Sequence, residues 1–102
     1  MKHRLIVRSC AERDISEACH WYQQQAEGLG SDCLRCVDAA IAFIGRNPLT
    51  FPKHYHEYRR VLVRRFPYGI FYVVEGDIIS VIAVLHLAQD PETIRKILNE
   101  RQ

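Results

Sequence analysis

The sequence has no apolar run long enough to cross a bilayer. Its N-terminus, MKHRLIVRSC, holds too short an apolar stretch for a secretory leader. The chain is therefore expected in the cytoplasm, with no membrane partner. Internal repeats, linkers and low-complexity segments are absent, which excludes solenoids and disordered tails. Metal-binding patterns are equally thin. A closed zinc site needs about four ligands. Cys33 and Cys36 have the C-x-x-C spacing, but no second such pair or nearby histidine pair accompanies them. Cys10 and Cys19 do not complete a set by spacing. In a cytoplasmic chain the four cysteines are expected to stay reduced, and small buried thiols are the better reading. His54-Tyr55-His56 lacks a third ligand and reads as a solvent-facing loop. No metal and no cofactor is expected.

What is present fits one globular domain over residues 1–102. Apolar residues make up 48% and charged residues 25%, enough to build a core and avoid disorder. A domain of this size is marginally stable, so a partner covering apolar surface would help it. The net charge of +2 is too weak to mark a nucleic-acid binder by itself. Its distribution is more telling, because Arg59, Arg60, Arg64 and Arg65 crowd one segment.

The pattern along the chain predicts an α+β fold: an N-terminal strand, an antiparallel helical hairpin, a three-stranded antiparallel meander and a short C-terminal helix. Arg4–Arg8 is a short apolar run suited to the first strand. From about Ala11, the residues Ala11, Ile15, Ala18, Cys19, Tyr22 and Ala26 recur at helical steps. Ser9 with Glu12 has capping-box spacing, and Gly28-Leu29-Gly30 ends the helix. A second helix is expected from about Ser31 to Arg46, capped by Ser31 or Asp32 and stopped by Asn47-Pro48. Leu34, Val37, Ile41 and Ile44 form its stripe. Ala39, Ala40, Ala42 and Phe43 spread the apolar surface around it, so it should be covered on more than one side. Pro48–Glu57 reads as loop. Strands are expected over Arg59–Arg65, Phe66–Glu75 and Asp77–Leu87, the last two joined by the Glu75-Gly76-Asp77 turn. Asp90 and Pro91 open a final helix. Helices grouped before a meander should pack on one sheet face.

Several blocks resemble a known group of proteins. They are Ala11-Glu12-Arg13-Asp14-Ile15, Trp21-Tyr22, Gly28-Leu29-Gly30, Asn47-Pro48, Phe51-Pro52, the stretch RVLVRRFPYGIFY from Arg60 to Tyr72, and His86 ahead of Asp90-Pro91. In this order and spacing the chain resembles the RelE/ParE toxin superfamily of type II toxin–antitoxin systems, closest to the ParE-like branch. The resemblance implies a growth-inhibiting toxin and a cognate antitoxin whose C-terminal segment wraps it. It also implies one of two activities. ParE-like toxins poison DNA gyrase by contact. RelE-like toxins are endonucleases that cut messenger RNA on the ribosome. A third outcome is an inactive homologue that only binds its antitoxin.

The nuclease branch commonly carries Tyr-Arg-x-x-Tyr, with a second basic cluster after the last strand. Here the stretch is Tyr68-Gly69-Ile70-Phe71-Tyr72, and the later region, His86-Leu87-Ala88-Gln89, holds no arginine. That favours the gyrase branch and an inhibitor that is not an enzyme. If the chain is a ribonuclease, His86 is its proton-transfer group, Arg60 and Arg64 contact phosphate, and Tyr72 positions a base. The expected partner-binding residues are Trp21, Arg60, Arg64, Arg65 and Tyr68. Trp21 lies off the main helical stripe, as an interface anchor would. The C-terminal tail from Asp90 is a second candidate for target contact. Arg59 is expected to be a solvated charge. A homodimer through the helix pair is left open.

Overall fold

The computed structural model describes residues 3–101. Its elements are β1 (Arg4–Val7), α1 (Ser9–Gln25), α2 (Leu29–Arg46), β2 (Lys53–Tyr55), β3 (Tyr58–Leu62), β4 (Tyr68–Glu75), β5 (Ile78–His86) and α3 (Pro91–Glu100). The predicted order of strand, helical hairpin, meander and short helix is therefore present. The sheet order is β1-β5-β4-β3-β2. β1 runs parallel to β5, with Arg4 opposite Ile78 and Val7 opposite Val81. The other pairings are antiparallel. Gly76, at φ 61, closes the β4–β5 hairpin where a side chain would be strained.

The sheet is covered on both faces, which corrects the expectation that all helices share one. Ala11, Cys33, Val37 and Ile44 of the hairpin pack with Ile70, Tyr72, Ile79, Val81 and Val84. On the other side Leu98 of α3 packs with Tyr58, Phe71, Ile82, Ala83 and Leu85. The cause is legible in β5, which is apolar at almost every position and cannot leave a face in water. A bulge sits in this strand. Tyr72 pairs with Val81 and Phe71 with Ala83, so Ile82 is the extra residue.

The helix starts differ from the sequence expectation. Arg8 donates its N–H to the Val81 carbonyl at 3.0 Å, so β1 runs straight into α1. Arg8 is thus the N-cap, Ser9 is already helical, and the Ser9–Glu12 capping box does not form. α2 begins at Leu29 behind Gly28, at φ 87, and not behind Ser31 or Asp32. The Gln23 side-chain oxygen accepts from the N–H groups of Gly28 (3.2 Å) and Gly30 (3.0 Å), so it serves the orphan donors that a cap would. A Cβ on Gly30 would lie 2.8 Å from the Cys19 carbonyl, so the helices meet there only because that residue is glycine. Cys33 is buried, whereas Leu34, expected in the stripe, is 45% exposed.

Two strand boundaries also move. The expected Arg59–Arg65 strand stops at Leu62, and Arg65 turns the chain at φ 71 ahead of Pro67, which has no ladder donor. The expected loop at Pro48–Glu57 contains β2, held to β3 by Lys53–Arg59 and Tyr55–Tyr58 pairing. At the far end, Asp90 and Pro91 take the N-cap and first helical positions of α3, although Asp90 makes no side-chain cap bond.

One ion pair locks the C-terminus. Asp14 of α1 receives both guanidinium nitrogens of Arg101, at 2.6 and 3.1 Å, and also the Val84 N–H at 3.0 Å. Arg101 donates in turn to the Ile82 carbonyl at 3.2 Å. The pair thus satisfies backbone groups that the bulge and the end of β1 leave without a ladder partner.

Candidate functional site

An aromatic chain crosses from α1 to the sheet. Trp21 meets Tyr22 edge-on at 5.0 Å, Tyr22 meets Tyr68 at 6.3 Å, and Tyr68 meets His86 at 5.0 Å. Tyr68 and His86 are cross-strand partners on β4 and β5, which fixes their contact. Trp21 is 54% exposed and, with Asp14, Glu17, Tyr68, His86 and Gln89, it lines a shallow cleft. The Nδ1 of His86 accepts the Ala88 N–H at 3.0 Å. A neutral His86 therefore carries its proton on Nε2 and has no open lone pair for a base. Burial raises the Tyr68 phenol above its ordinary range, with Tyr22 adding to the shift, so it remains a neutral hydrogen-bonding group.

The basic residues separate. Arg64 and Arg65 follow β3 and border a groove between α2 and β3 of about 570 Å³. Its walls include Cys36, Ala39, Ala40, Phe43, Phe51, Val61 and Leu62, and Arg35 and Arg46 stand on the α2 side. Phe43 is 38% and Leu62 54% exposed, so no described residue covers this apolar surface. Asp32 bonds Arg35 and lies 3.7 Å from Arg65, while Arg64 has no carboxylate partner among the described residues. Arg60 points elsewhere, into a cleft on the α3 side.

Tyr72 is wholly buried, and its hydroxyl donates to the Pro48 carbonyl at 2.9 Å. Burial raises its pKa as well, against the lowering effect of Arg59. Arg59, expected to be solvated, is half-buried and donates to the Phe51 carbonyl. Tyr72 and Arg59 therefore pin the loop after α2 to the sheet. Among the four residues weighed for a ribonuclease, Arg60, Arg64 and His86 line three separate clefts, and Tyr72 is in the core. The three clefts are neighbours, since Leu62 borders those of Arg60 and Arg64 and Gln89 those of Arg60 and His86.

A family model described as the ParE toxin of the type II toxin–antitoxin system parDE matches residues 5–91. The chain belongs to the ParE toxin family. It is similar to Toxin ParE2 of Mycobacterium tuberculosis strain CDC 1551 / Oshkosh, at 28% identity over 102 residues, covering 99% of this chain and 97% of that protein. Toxin ParE2 of strain ATCC 25618 / H37Rv matches with the same identity and coverage. A solved structure described as the chromosomal ParDE TA system from P. aeruginosa shares the fold. Its TM-score is 0.64 at 14% identity, over 84% of this chain and 97% of that one.

Of the four thiols only Cys33 is buried, while Cys10, Cys19 and Cys36 are partly covered. Cys33 is 1% exposed, and burial together with a hydrogen bond to Cys19 pushes its thiol up to about 12, far from a reactive thiolate. His54 lies in β2 and His56 turns the chain at φ 51, so the HYH stretch is a strand end and not an open loop. Sequence reasoning missed two groups that matter here. Asp14 gives no local signal, because its partner lies at the other end of the chain. Arg95 looks like any surface residue of α3 until β2 and β3 are placed beside it.

Proposed function

We infer that this ParE-type toxin acts by contact, poisoning DNA gyrase and arresting growth in the cytoplasm without bond chemistry of its own. The observation that carries this reading is that Tyr72 is sealed in the core and the Nδ1 of His86 is already engaged by the Ala88 N–H. Cutting RNA needs a base at the 2′-hydroxyl and cations at the phosphate, all within hydrogen-bond reach of one bound phosphodiester step. Arg60, Arg64 and His86 line different clefts, Tyr72 is sealed in the core, and the one outward nitrogen of neutral His86 is a donor. A contact inhibitor needs only exposed anchors, and Trp21 beside Tyr68 provides them.

The cognate antitoxin is assigned to the groove between α2 and β3. Its apolar walls and the rim of Arg35, Arg46, Arg64 and Arg65 suit an amphipathic segment that carries acidic residues.

Pulse-labelling of DNA and protein synthesis, minutes after inducing the chain without its antitoxin, tests the reading. DNA synthesis should fall first, with DNA breaks. Earlier loss of protein synthesis would assign the ribosome and messenger RNA instead. Continued division with soluble toxin present would mean an inert homologue. Removing the tail from Pro91 is not a clean alternative test. Leu98 is wholly buried, Tyr58 donates to its carbonyl at 2.9 Å, and Arg101 holds Asp14.

A further inference from the structure

We propose that the cleft between α3, β2 and β3 binds a phosphate monoester on an apolar or aromatic body, a nucleotide phosphate, gripped by Arg60 and Arg95. The inference does not depend on the gyrase reading, and it involves no bond cleavage.

The cleft measures about 450 Å³, within the range of roughly 300–1,000 Å³ usual for small-ligand sites. Its ionisable cationic groups are Arg60, Arg95 and His54, and no aspartate or glutamate lines it. Neither arginine pairs with a carboxylate among the described residues. The imidazole of His54 is pushed below its ordinary value by burial and by the charges of Arg60 and Arg95, so positive charge does crowd here. Leu62, Leu87 and Ile94 supply an apolar wall for the body of the ligand.

The stem of Arg60 and the guanidinium of Arg95 are positioned beforehand. The methylenes of Arg60 lie over Gly69, where a Cβ would come within 3.3 Å of the Arg60 Cδ and 3.0 Å of Leu87. The absent side chain at position 69 is thus the room in which Arg60 lies. Arg95 stands 5.9 Å over the Tyr55 ring, and the Tyr55 hydroxyl donates back to Asn99 of α3 at 3.1 Å. Charge matching selects phosphate over carboxylate. A phosphate monoester carries about −1.5 to −2 at neutral pH and offers three acceptor oxygens, so it answers two arginines, whereas a carboxylate neutralises one.

Isotope-labelled full-length protein should be titrated with adenosine monophosphate, inorganic phosphate and acetate and followed by NMR. The nucleotide should saturate with shifts centred on His54, Arg60, Gln89 and Arg95, phosphate should bind more weakly at the same residues, and acetate should not saturate. Arg95→Ala should weaken nucleotide binding about tenfold, the loss typical of a charge-assisted contact. Lys96→Ala removes the same charge from the same helix outside the cleft, so its effect should stay within about twofold. Equal binding of acetate and nucleotide, shifts centred on another surface, or equal effects of the two substitutions would overturn the site. A 5′-phosphorylated oligonucleotide separates the sources. Tighter binding than the mononucleotide assigns the end of a strand, and weaker binding assigns a free nucleotide.

Discussion

Two sets of arginines share this small protein and do opposite things. Arg59 and Arg101 are half-buried and held by oxygen acceptors of the same chain, the Phe51 carbonyl in one case and the Asp14 carboxylate in the other. Arg60, Arg64 and Arg95 have no carboxylate partner among the described residues and line open clefts. The difference shows what a charge count hides. An arginine whose donors are already met holds the fold, and one whose donors face a cleft offers them to something else.

The sharpest way to break the comparison is to remove the acid from the first set. Asp14→Ala should destabilise the domain by about 3 kcal/mol, because it strands a partly buried guanidinium and the Val84 N–H. For a domain of this length that corresponds to a fall in melting temperature of at least about 10 °C, readable by calorimetry. A change under about 1 kcal/mol would mean the pair is no better than a surface ion pair. Tyr72→Phe comes next, at about 1 kcal/mol, since it leaves the buried Pro48 carbonyl without its donor. Toxicity should survive that substitution in a stable background, and its loss would return Tyr72 to the site.

The second set should give the reverse pattern. Arg64→Glu should change stability by no more than about 0.5 kcal/mol, as surface substitutions do. It should weaken antitoxin binding about tenfold, with the difference shrinking as salt is added. Isothermal titration against the antitoxin measures both. A loss of stability above about 1 kcal/mol with affinity unchanged would place Arg64 with the structural arginines. His86→Gln, which keeps the contact area beside Tyr68, should leave toxicity unchanged, and loss of toxicity with antitoxin binding retained would revive the ribonuclease.

Much of this arrangement was legible because helical and strand periods are local. Ala11, Ile15, Ala18 and Val37, Ile41, Ile44 mark the inward faces of α1 and α2, and Gly76 marks its hairpin. What escaped reading depends on distance. Leu34 lies at an open cleft beside Val7 and α1, a placement set by how the helices and β1 meet and not by its own period. β2 escaped because three residues after Pro52 have no period, and only pairing with β3 makes them a strand. The Asp14–Arg101 pair joins residues 87 positions apart. The two arginine sets read identically in the sequence, since what separates Arg59 from Arg60 is the Phe51 carbonyl on one side and an open cleft on the other.

The smallest expected effect concerns pH. His54 titrates below its ordinary value because burial, Arg60 and Arg95 all disfavour its charged form. A base whose folded pKa is depressed binds more protons in the unfolded chain, so its contribution is complete above about 6.5 and is lost as pH falls through that value. Thermal stability should therefore decline on acidification from about pH 7, and His54→Gln should flatten part of the decline. Much of the residue faces solvent, so the burial is partial and the slope it contributes is small. Saturating nucleotide turns this into a test of the basic cleft. A bound phosphate dianion between Arg60 and Arg95 cancels their repulsion and favours the imidazolium, so the His54 share of the slope should shrink or reverse in the wild type. In the Arg95→Ala protein the nucleotide should have little influence on that slope, because the grip on the anion is gone.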